Sequence, residues 1–334
     1  MAEQAKSSEF DSISEADSYR TRIGGWFNER FPVVMLVAGL PSFLAAHLIG
    51  QVSFQRAGTP EIKLGLPQVA GWLCAVGFLL CVRIFDEHKD YDDDVRLHPE
   101  RLVSRGVVAL SELRSINAVN VMVLIAYCLW VDAGVGPVTA TFAVAFLWLL
   151  LMKNEFFIGE WLRPRLVLYA LSHAVVTPLV GWWMVTSGSH AIGWNRVLVP
   201  YLVASYASSL LFEFARKILP PDLERPEVPT YSSVLGPRRA GLAAGAMAVV
   251  HAVAMGISLL LVRRGVDPLV MIIGLVLMGV VAALAALAFG HYATVPSEKN
   301  HKLLEPLAAL AMLVPALVII VSILVAADIH WTWT

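Results

Sequence analysis

The chain has 334 residues, of which 57% are hydrophobic and only 15% are charged, and its mean hydropathy is +0.68. This balance lies far outside that of a soluble domain and predicts an integral membrane protein, with the lipid bilayer as its surroundings. The net charge is −1, and the charges are segregated between loops. Nothing in this pattern indicates a nucleic-acid partner, and we expect none.

Residues 1–30 are polar and mixed in charge, without the apolar core of a cleavable signal peptide. We predict a partly disordered cytoplasmic tail over residues 1–30 and one transmembrane domain over residues 31–334. Three cysteines, Cys74, Cys81 and Cys128, fall inside apolar runs. They are interpreted as buried thiols without a function.

Nine apolar runs follow the tail. A bilayer core of about 30 Å needs roughly 20 residues of helix. The runs cover residues 31–50, 66–85, 116–134, 136–152, 166–187, 197–214, 240–262, 268–289 and 304–327. The third and fourth are joined at Gly134 to Gly136, which indicates a tight helical hairpin. The predicted fold is therefore an all-α membrane protein, a bundle of nine transmembrane helices capped by charged loops.

The basic residues predict the orientation of this bundle. Twenty of the 25 Lys and Arg residues fall in the tail, in the loops after the second, fourth, sixth and eighth runs or, in the case of Arg83, in the last turn of the second run. Cytoplasmic loops carry such an excess of basic residues. We therefore expect a multi-pass protein of the cell or inner membrane, with its N-terminus and its charge-rich loops in the cytoplasm.

The loop after the second run is unusually acidic and reads "FDEHKDYDDDVRLHPERLVSRG" over residues 85–106. If the helix continues, Asp86, Asp90 and Asp94 are spaced by four residues and lie on one face. Their carboxylates would repel each other, and Mg²⁺, which prefers oxygen ligands and often shares them with substrate phosphates, would relieve that repulsion. A solvated acidic helix end is the alternative.

Basic residues are interleaved with these acids. They could grip a diphosphate, because guanidinium groups suit phosphate oxygens. They could equally pair with the acids or determine topology. The residues are Lys89, Arg96, Arg101 and Arg105.

The pattern Asp86-xxx-Asp90-xxx-Asp94, followed by "HPERLVSRG", resembles the NxxxDxxxD motif and the arginine-to-glycine segment of the UbiA-type intramembrane prenyltransferase superfamily. Nine helices and two cytoplasmic acidic motifs, after spans two and six, are typical of that family. The resemblance implies Mg²⁺-dependent binding and ionisation of an isoprenyl diphosphate, followed by attack on an aromatic or other lipophilic acceptor. Asp90 and Asp94 match the family aspartates, Asp86 replaces the usual asparagine, and Arg101 matches the arginine, although Leu102 replaces the following proline.

The loop after the sixth run departs from the family pattern. It reads "FEFARKILPPDLERPEVPTYSSVLG" over residues 212–236, and its ending looks like the family's threonine-to-glycine segment. Glu213 and Lys217 stand where many members have DxxxD. A carboxylate near the end of an apolar helix is costly unless it is paired or metal-bound. Glu213 is thus a predicted metal ligand, and Arg216 and Lys217 are predicted to bind the diphosphate. The alternative is an internal ion pair between Glu213 and Lys217.

Further groups could belong to the same site. Lys153 sits where the family often has a Lys-Arg pair near the diphosphate, although a lysine at a helix end also snorkels to the interface. His173 could orient an acceptor or act as a base, or could simply bond between helices. A prenyl channel with cation–π character could be lined by Tyr169, Trp182, Trp183 and Tyr206.

Three functions follow from these residues. The first is prenyl transfer to an acceptor, the second is a terpene cyclase of the same superfamily that uses no acceptor, and the third is a cation-binding transporter or scaffold. The charges gather at one membrane face and no repeat is evident, which favours an enzyme. The predicted catalytic residues are Asp90, Asp94 and Glu213; the metal ligands are Asp86, Asp90, Asp94 and Glu213; the diphosphate ligands are Arg101, Arg105, Lys153, Arg216 and Lys217.

Overall fold

The structure is a computed structural model that describes residue 10 and residues 12–55, 58–193, 195–225 and 227–332; the side chains of residues 34–36 and 38 lie outside this description. The helices are α1 (Tyr19–Arg30), α2 (Val34–Ser53), α3 (Leu66–Lys89), α4 (Tyr91–Leu97), α5 (Leu110–Val131), α6 (Pro137–Lys153), α7 (Gly159–Leu162), α8 (Leu166–Ala174), α9 (Val176–Ser189), α10 (Leu198–Arg216), α11 (Tyr231–Leu235), α12 (Pro237–Leu261), α13 (Pro268–Thr294), α14 (Glu298–His301) and α15 (Leu304–Ala326). Two short strands are β1 (Glu61–Gly65) and β2 (Asp328–Thr332).

The described residues form an all-helical membrane protein, as predicted. Seven helical segments are long and apolar enough to cross a bilayer: Leu66–Lys89, Leu110–Val131, Leu166–Ser189, Leu198–Arg216, Pro237–Leu261, Pro268–Thr294 and Glu298–Ala326. The other two predicted runs coincide with α2 and α6. Helix α6 has only 17 residues, fewer than the roughly 20 that span a bilayer without thinning it. The count of nine spans therefore stays a prediction.

The tail differs from the sequence expectation in its second half. Residues 19–30 form α1, which starts at Ser18, whose hydroxyl accepts the Thr21 N–H at 3.2 Å. Ile23 and Trp26 are buried against the C-terminal end of α3 and the segment that follows it. This helix was not predicted from the sequence; these two apolar side chains give a mostly polar segment a face to bury. The start of the predicted tail, residues 1–9, lies outside the described residues.

The fifth predicted run is a pair of helices, α8 and α9, separated at Val175. Pro178 explains the break, since it has no N–H to donate to the Ala174 carbonyl four residues earlier. The predicted hairpin between the third and fourth runs is confirmed. Asp132 caps α6 by accepting the Thr139 N–H at 2.7 Å, and Gly134 has a φ of +137°, a value that favours glycine.

The two strands were not predicted. They pair in parallel, with Glu61 opposite Asp328 and Gly65 opposite Thr332. The Gln51 side chain extends this pairing by accepting the Lys63 N–H at 2.8 Å and donating to the Lys63 carbonyl at 2.9 Å. Because β1 leads directly into the N-terminus of α3, the strands lie at the end of the bundle opposite the acidic stretch.

Candidate active site

The acidic stretch does not continue α3 as one straight helix. Helix α3 ends at Lys89 and α4 begins at Tyr91, with Asp90 between them at φ −99° and ψ 10°. The amides of Asp90 and Asp94 still donate four residues back, to the carbonyls of Asp86 and Asp90, at 2.9 and 2.8 Å. The spacing of the three aspartates is thus kept. Beyond the bend, however, Asp94 forms ion pairs with residues other than the one that contacts Asp86 and Asp90.

Asp86 and Asp90 share one buried cation. Lys89 Nζ lies 3.3 Å from Asp86 Oδ1, 3.8 Å from Asp90 Oδ1 and 2.9 Å from the Tyr169 hydroxyl oxygen. The lysine side chain is 9% exposed, whereas the aspartates are 38% and 47% exposed. Two accessible carboxylates therefore converge on one buried ammonium group.

The electrostatics of Asp90 reflect this crowding. Partial burial raises the pKa of Asp90 to about 6. Lys89 opposes that rise, whereas the neighbouring carboxylates of Asp86, Asp94 and Glu155 add to it. The single positive charge of Lys89 therefore does not neutralise the carboxylates around Asp90.

Asp94 is held by arginines instead. Arg101 Nη1 lies 2.7 Å from Asp94 Oδ1, and Arg30 Nη2 lies 3.7 Å from Asp94 Oδ2. Arg30 also donates to the buried Glu87 carboxylate at 2.7 Å, which Arg83 contacts at 2.6 Å. Sequence reasoning missed Arg30 and Glu87, because a contact between positions 57 residues apart leaves no local pattern.

The other basic residues of this loop face away from the aspartates of the motif. Arg105 donates to the backbone carbonyls of Phe10 and Ile13, at 3.1 and 2.8 Å. Arg96 forms an exposed pair with Asp93 at 3.0 Å. Arg105 therefore anchors the N-terminal segment in this structure, and Arg101 is the predicted diphosphate ligand that contacts the motif.

Glu213, at the end of α10, is paired inside its own loop. It lies 2.7 Å from Lys217 Nζ and 3.2 Å from Arg216 Nη2, and the Tyr231 hydroxyl donates to it at 3.3 Å. The pair with Lys217 is the alternative that the sequence left open. The carboxylate is 25% exposed, so a ligand from solvent can still reach it.

Glu224 fixes the shape of the second loop. Its carboxylate accepts a hydrogen bond from the Thr230 hydroxyl at 2.6 Å and another from the Ser232 hydroxyl at 2.6 Å. Both hydroxyls belong to the "TYSSVLG" segment that opens α11. Glu224 thus stabilises the conformation of the loop. The backbone carbonyl of Lys217 also accepts the Tyr231 N–H, at 3.0 Å.

The two charged loops lie at the same end of the bundle, on either side of α8. Tyr169 on α8 bonds to Lys89 at the end of α3. The next residue, Ala170, packs in the same apolar cluster as Phe214 and Tyr231 of the second loop. Helix α8 is therefore the element that joins the first acidic motif to the second.

A strained turn borders the first motif. Glu155, Phe156 and Phe157 have φ values of 48°, 56° and 60°, a left-handed conformation that is costly for such residues. Arg163 holds the buried Glu155 carboxylate with contacts of 2.7 Å, and a methyl group at Gly159 would overlap that carboxylate. Sequence reasoning missed this turn; Gly159 was the one local signal for it.

Lys153 lies away from the aspartates of the first motif. Its Nζ lies 4.9 Å from the centre of the Phe85 ring, and it lines a small pocket with His88 and Arg114. No contact with Asp86 or Asp90 is present among the described residues. The structure therefore does not bring Lys153 together with the first motif.

A cavity of about 270 Å³ lies among α2, α3, α9, α10, α12 and α15. It is mainly apolar, with a few polar groups that include Ser42, Tyr201 and His251. The described lining does not contain Tyr169, Trp182, Trp183 or Tyr206, the aromatics proposed for a channel.

His173 connects the charged end to this cavity. Its ring stacks on Tyr169 with centroids 3.8 Å apart, and Nδ1 bonds to the Tyr169 carbonyl at 2.8 Å. Its Nε2 is buried without a described partner. Tyr169, His173 and the cavity-lining Thr177 are spaced by four residues, so they follow one side of the α8–α9 pair inward.

The site could hold Mg²⁺ only through two carboxylates, with substrate phosphates and water as the other ligands. The described residues contain no group of three or more His, Cys, Asp and Glu side chains placed to hold a metal ion. Asp94 and Glu213 are engaged by basic side chains, as given above. Asp86 and Asp90 remain as two converging, accessible carboxylates, and Mg²⁺ commonly binds through one or two carboxylates together with substrate phosphates and water.

The chain is thus an all-helical membrane protein with two charged loops at one end of the bundle and a mainly apolar cavity among its helices. No protein-family model and no curated protein sequence matches it. Its structure is similar to that of a UbiA homolog from Aeropyrum pernix K1, with a TM-score of 0.62 and 15% identity over 88% of this chain and 98% of the other. It is also similar to a digeranylgeranylglyceryl phosphate synthase, with a TM-score of 0.54 and 13% identity over 97% and 99% of the two chains. The chain has the UbiA fold, and the resemblance drawn from its motifs is confirmed at the level of the fold.

Proposed function

We propose that this protein is a Mg²⁺-dependent membrane enzyme that transfers an isoprenyl group from an isoprenyl diphosphate to an aromatic or other lipophilic acceptor. One observation carries the proposal. The loops after α3 and α10 both contact α8, from either side, at one end of a bundle with the UbiA fold. The proposed site faces the cytoplasm, as the distribution of basic residues favours.

Asp86 and Asp90 would hold the metal ion, because they are the two carboxylates that converge and are accessible. When bound, Mg²⁺ neutralises charge on the diphosphate and so makes it a better leaving group. Lys89, already charged and buried between the two aspartates, fixes their positions and adds positive charge beneath the diphosphate. Arg216 and Lys217 would approach the diphosphate from the second loop.

Asp94 and Arg101 act as an exchangeable pair in this proposal. In the structure the two neutralise each other at 2.7 Å. A diphosphate that draws Arg101 away would release the Asp94 carboxylate toward the metal. This exchange uses the predicted role of each residue and leaves neither charge unpaired.

The isoprenyl chain would extend from the charged end into the cavity, whose lining is mainly apolar. Tyr169, beside Lys89, and His173 lie on α8, between the charged end and the cavity-lining Thr177 of α9. The buried His173 Nε2 has no described partner, so it can take a proton from an acceptor or from the carbocation that forms.

The experiment that tests the proposal supplies the purified protein with Mg²⁺ and geranyl, farnesyl or geranylgeranyl diphosphate, first alone and then with a membrane lipid extract as the acceptor source. Prenylated products that depend on the extract support transfer. A cyclic hydrocarbon formed without any acceptor identifies a terpene cyclase. If no diphosphate is consumed under any condition, the enzyme proposal fails, and the cation-binding reading gains support.

A further inference from the structure

A second pocket lies on the opposite side of α3 from the motif aspartates. It has a volume of about 150 Å³ and is enclosed by α3, α5 and the end of α6. At about 100° per helical residue, His88 of this pocket lies about 200° around the α3 axis from Asp86. The residues that line it are Ile84, Phe85, His88, Arg114, Asn117 and Lys153. The pocket is therefore separate from the proposed active site.

Two cations face this pocket without a counter-charge. Arg114 and Lys153 form no ion pair with any carboxylate in the described part of the chain, and the contact shown for Lys153 is the Phe85 ring at 4.9 Å. The three motif aspartates are engaged elsewhere, by Lys89 and by the arginines described above. Like charges that converge on one pocket are stable only when an anion or solvent lies between them.

The inner wall of the pocket carries polar groups with unmet bonding capacity. Asn117 is 5% exposed, and its Oδ1 is buried without a described partner. His88 uses Nδ1 for the Ile84 carbonyl at 2.8 Å, which leaves its buried Nε2 without a described partner. An amide can turn to present its NH₂, and Nε2 can accept a hydrogen bond from a phosphate O–H. Both groups can therefore bond to an anion that carries oxygen atoms.

We propose that this pocket binds a phosphate group. Its volume equals that of about five molecules of liquid water, which is enough for one phosphate and little more. Arg114 and Lys153 would supply the charge, and Asn117 and His88 the inner hydrogen bonds.

The surroundings of the pocket bear on the source of the phosphate. Farther along α5, Val119, Met122 and Val123 are 57%, 61% and 55% exposed, a surface suited to acyl chains. A phospholipid could therefore place its headgroup in the pocket and its chains along α5, since basic pockets between helices bind such headgroups. Free phosphate offers the same headgroup chemistry without the chains.

The test measures binding to the purified full chain in detergent by calorimetry, with dihexanoyl phosphatidic acid in one arm and inorganic phosphate in the other. The variants are Arg114→Gln, Lys153→Met and the pair combined; both side chains are exposed, so we expect the folded state to be kept. The matched control is Arg238→Gln, an exposed arginine at the start of α12 and outside the pocket. Because the readout is binding, it does not depend on the proposed enzyme activity.

We expect each single variant to bind the phosphate ligand about tenfold more weakly, the effect of losing one charge-assisted hydrogen bond, and Arg238→Gln to bind like the wild type. Tighter binding of phosphatidic acid than of inorganic phosphate would identify a lipid headgroup as the ligand, and equal binding would identify free phosphate. Equal affinity in the wild type and the double variant, or no binding of either probe by the wild type, would overturn the proposal.

Discussion

At the scale of single residues, Lys89 determines how the first motif behaves without a metal. Its ammonium group is the cation shared by Asp86 and Asp90, and the Tyr169 hydroxyl holds it in place. The pKa of Asp90 is nevertheless raised to about 6. A proton or a divalent cation is therefore favoured at the cluster, and the two compete for the same carboxylates.

The competition predicts how activity depends on pH. Because Asp90 is protonated below its pKa of about 6, the Mg²⁺ concentration that gives half-maximal turnover should rise as the pH falls through that value. Asp86→Asn removes a carboxylate that raises this pKa, so the rise should begin at lower pH. The variant should stay active, because the resemblance places asparagine at this position. Turnover is measured against Mg²⁺ from about pH 5 to 8.

The control for this series is Asp93→Asn, an exposed residue paired with Arg96 and outside the cluster. Its pH dependence should match that of the wild type. A dependence that is the same in all three proteins would show that Asp90 does not control metal binding.

Glu213 provides the second prediction at this scale. If it reaches the metal or the diphosphate, Glu213→Gln should lower turnover by about 10–100-fold, as the loss of a group that supports a metal site does. Adding Lys217→Met should not restore activity. If the carboxylate only pairs with Lys217 at 2.7 Å, removing both charges should restore what either single change loses. Isoprenyl diphosphate consumption by the two single variants and the double variant distinguishes these outcomes.

At the scale of secondary-structure elements, α2 and α9 are held together by close backbone contact. A methyl group at Gly50 would overlap the Val185 carbonyl oxygen, and one at Gly188 would overlap the His47 carbonyl oxygen. Small residues permit this kind of helix packing in membranes. The backbone cannot move aside as a side chain could, so the contact depends on both glycines.

We expect Gly50→Ala and Gly188→Ala each to lower the free energy of unfolding by about 1–3 kcal/mol, as overpacking in a core does. Thermal unfolding of the purified protein in detergent measures the effect. Gly279→Ala is the matched control, because Gly279 lies in α13 with no atom within 4 Å of the added methyl group. An unchanged melting temperature for Gly50→Ala would contradict the close contact.

The elements that could be predicted are those with a long-range apolar pattern or a local stop signal. The runs that became α3, α10, α12 and α13 are long and apolar, and the hairpin before α6 is marked by its glycines. The strands β1 and β2 could not be predicted, because each has five residues and pairs with a partner more than 250 positions away. Helix α1 was missed because two buried side chains, rather than a hydrophobic stripe, hold it.

At the scale of the whole molecule, the site could be predicted only in part. Local spacing pointed to Asp86, Asp90 and Glu213, since four-residue intervals bring side chains together on a helix. The partners that complete the cluster, Arg30 and Tyr169, come from distant helices and became visible only in the fold. For the same reason, spacing could not show that Arg105 and Lys153 turn away from the motif.

The predicted orientation can be tested by labelling, because Cys74, Cys81 and Cys128 are all buried and should react little. Asp92→Cys, in the acidic loop, should react with an impermeant maleimide only in inverted vesicles. Lys63→Cys, in β1 at the other end of α3, should react only in intact cells. The opposite pattern would place the charged loops outside the cell and remove the basis for a cytoplasmic site.

If the aspartates of the first motif hold the metal ion that helps an isoprenyl diphosphate to ionise, their loss must stop diphosphate release. The most direct measurement is diphosphate release from farnesyl or geranylgeranyl diphosphate in the presence of Mg²⁺, for the wild type, Asp90→Ala and Asp94→Ala. We expect release by the wild type and a loss of at least about a hundredfold in both variants. Both should stay folded, Asp90→Ala with unchanged thermal stability and Asp94→Ala with a lower melting temperature, because the latter leaves Arg101 unpaired. Wild-type release by either folded variant would contradict this role of the aspartates.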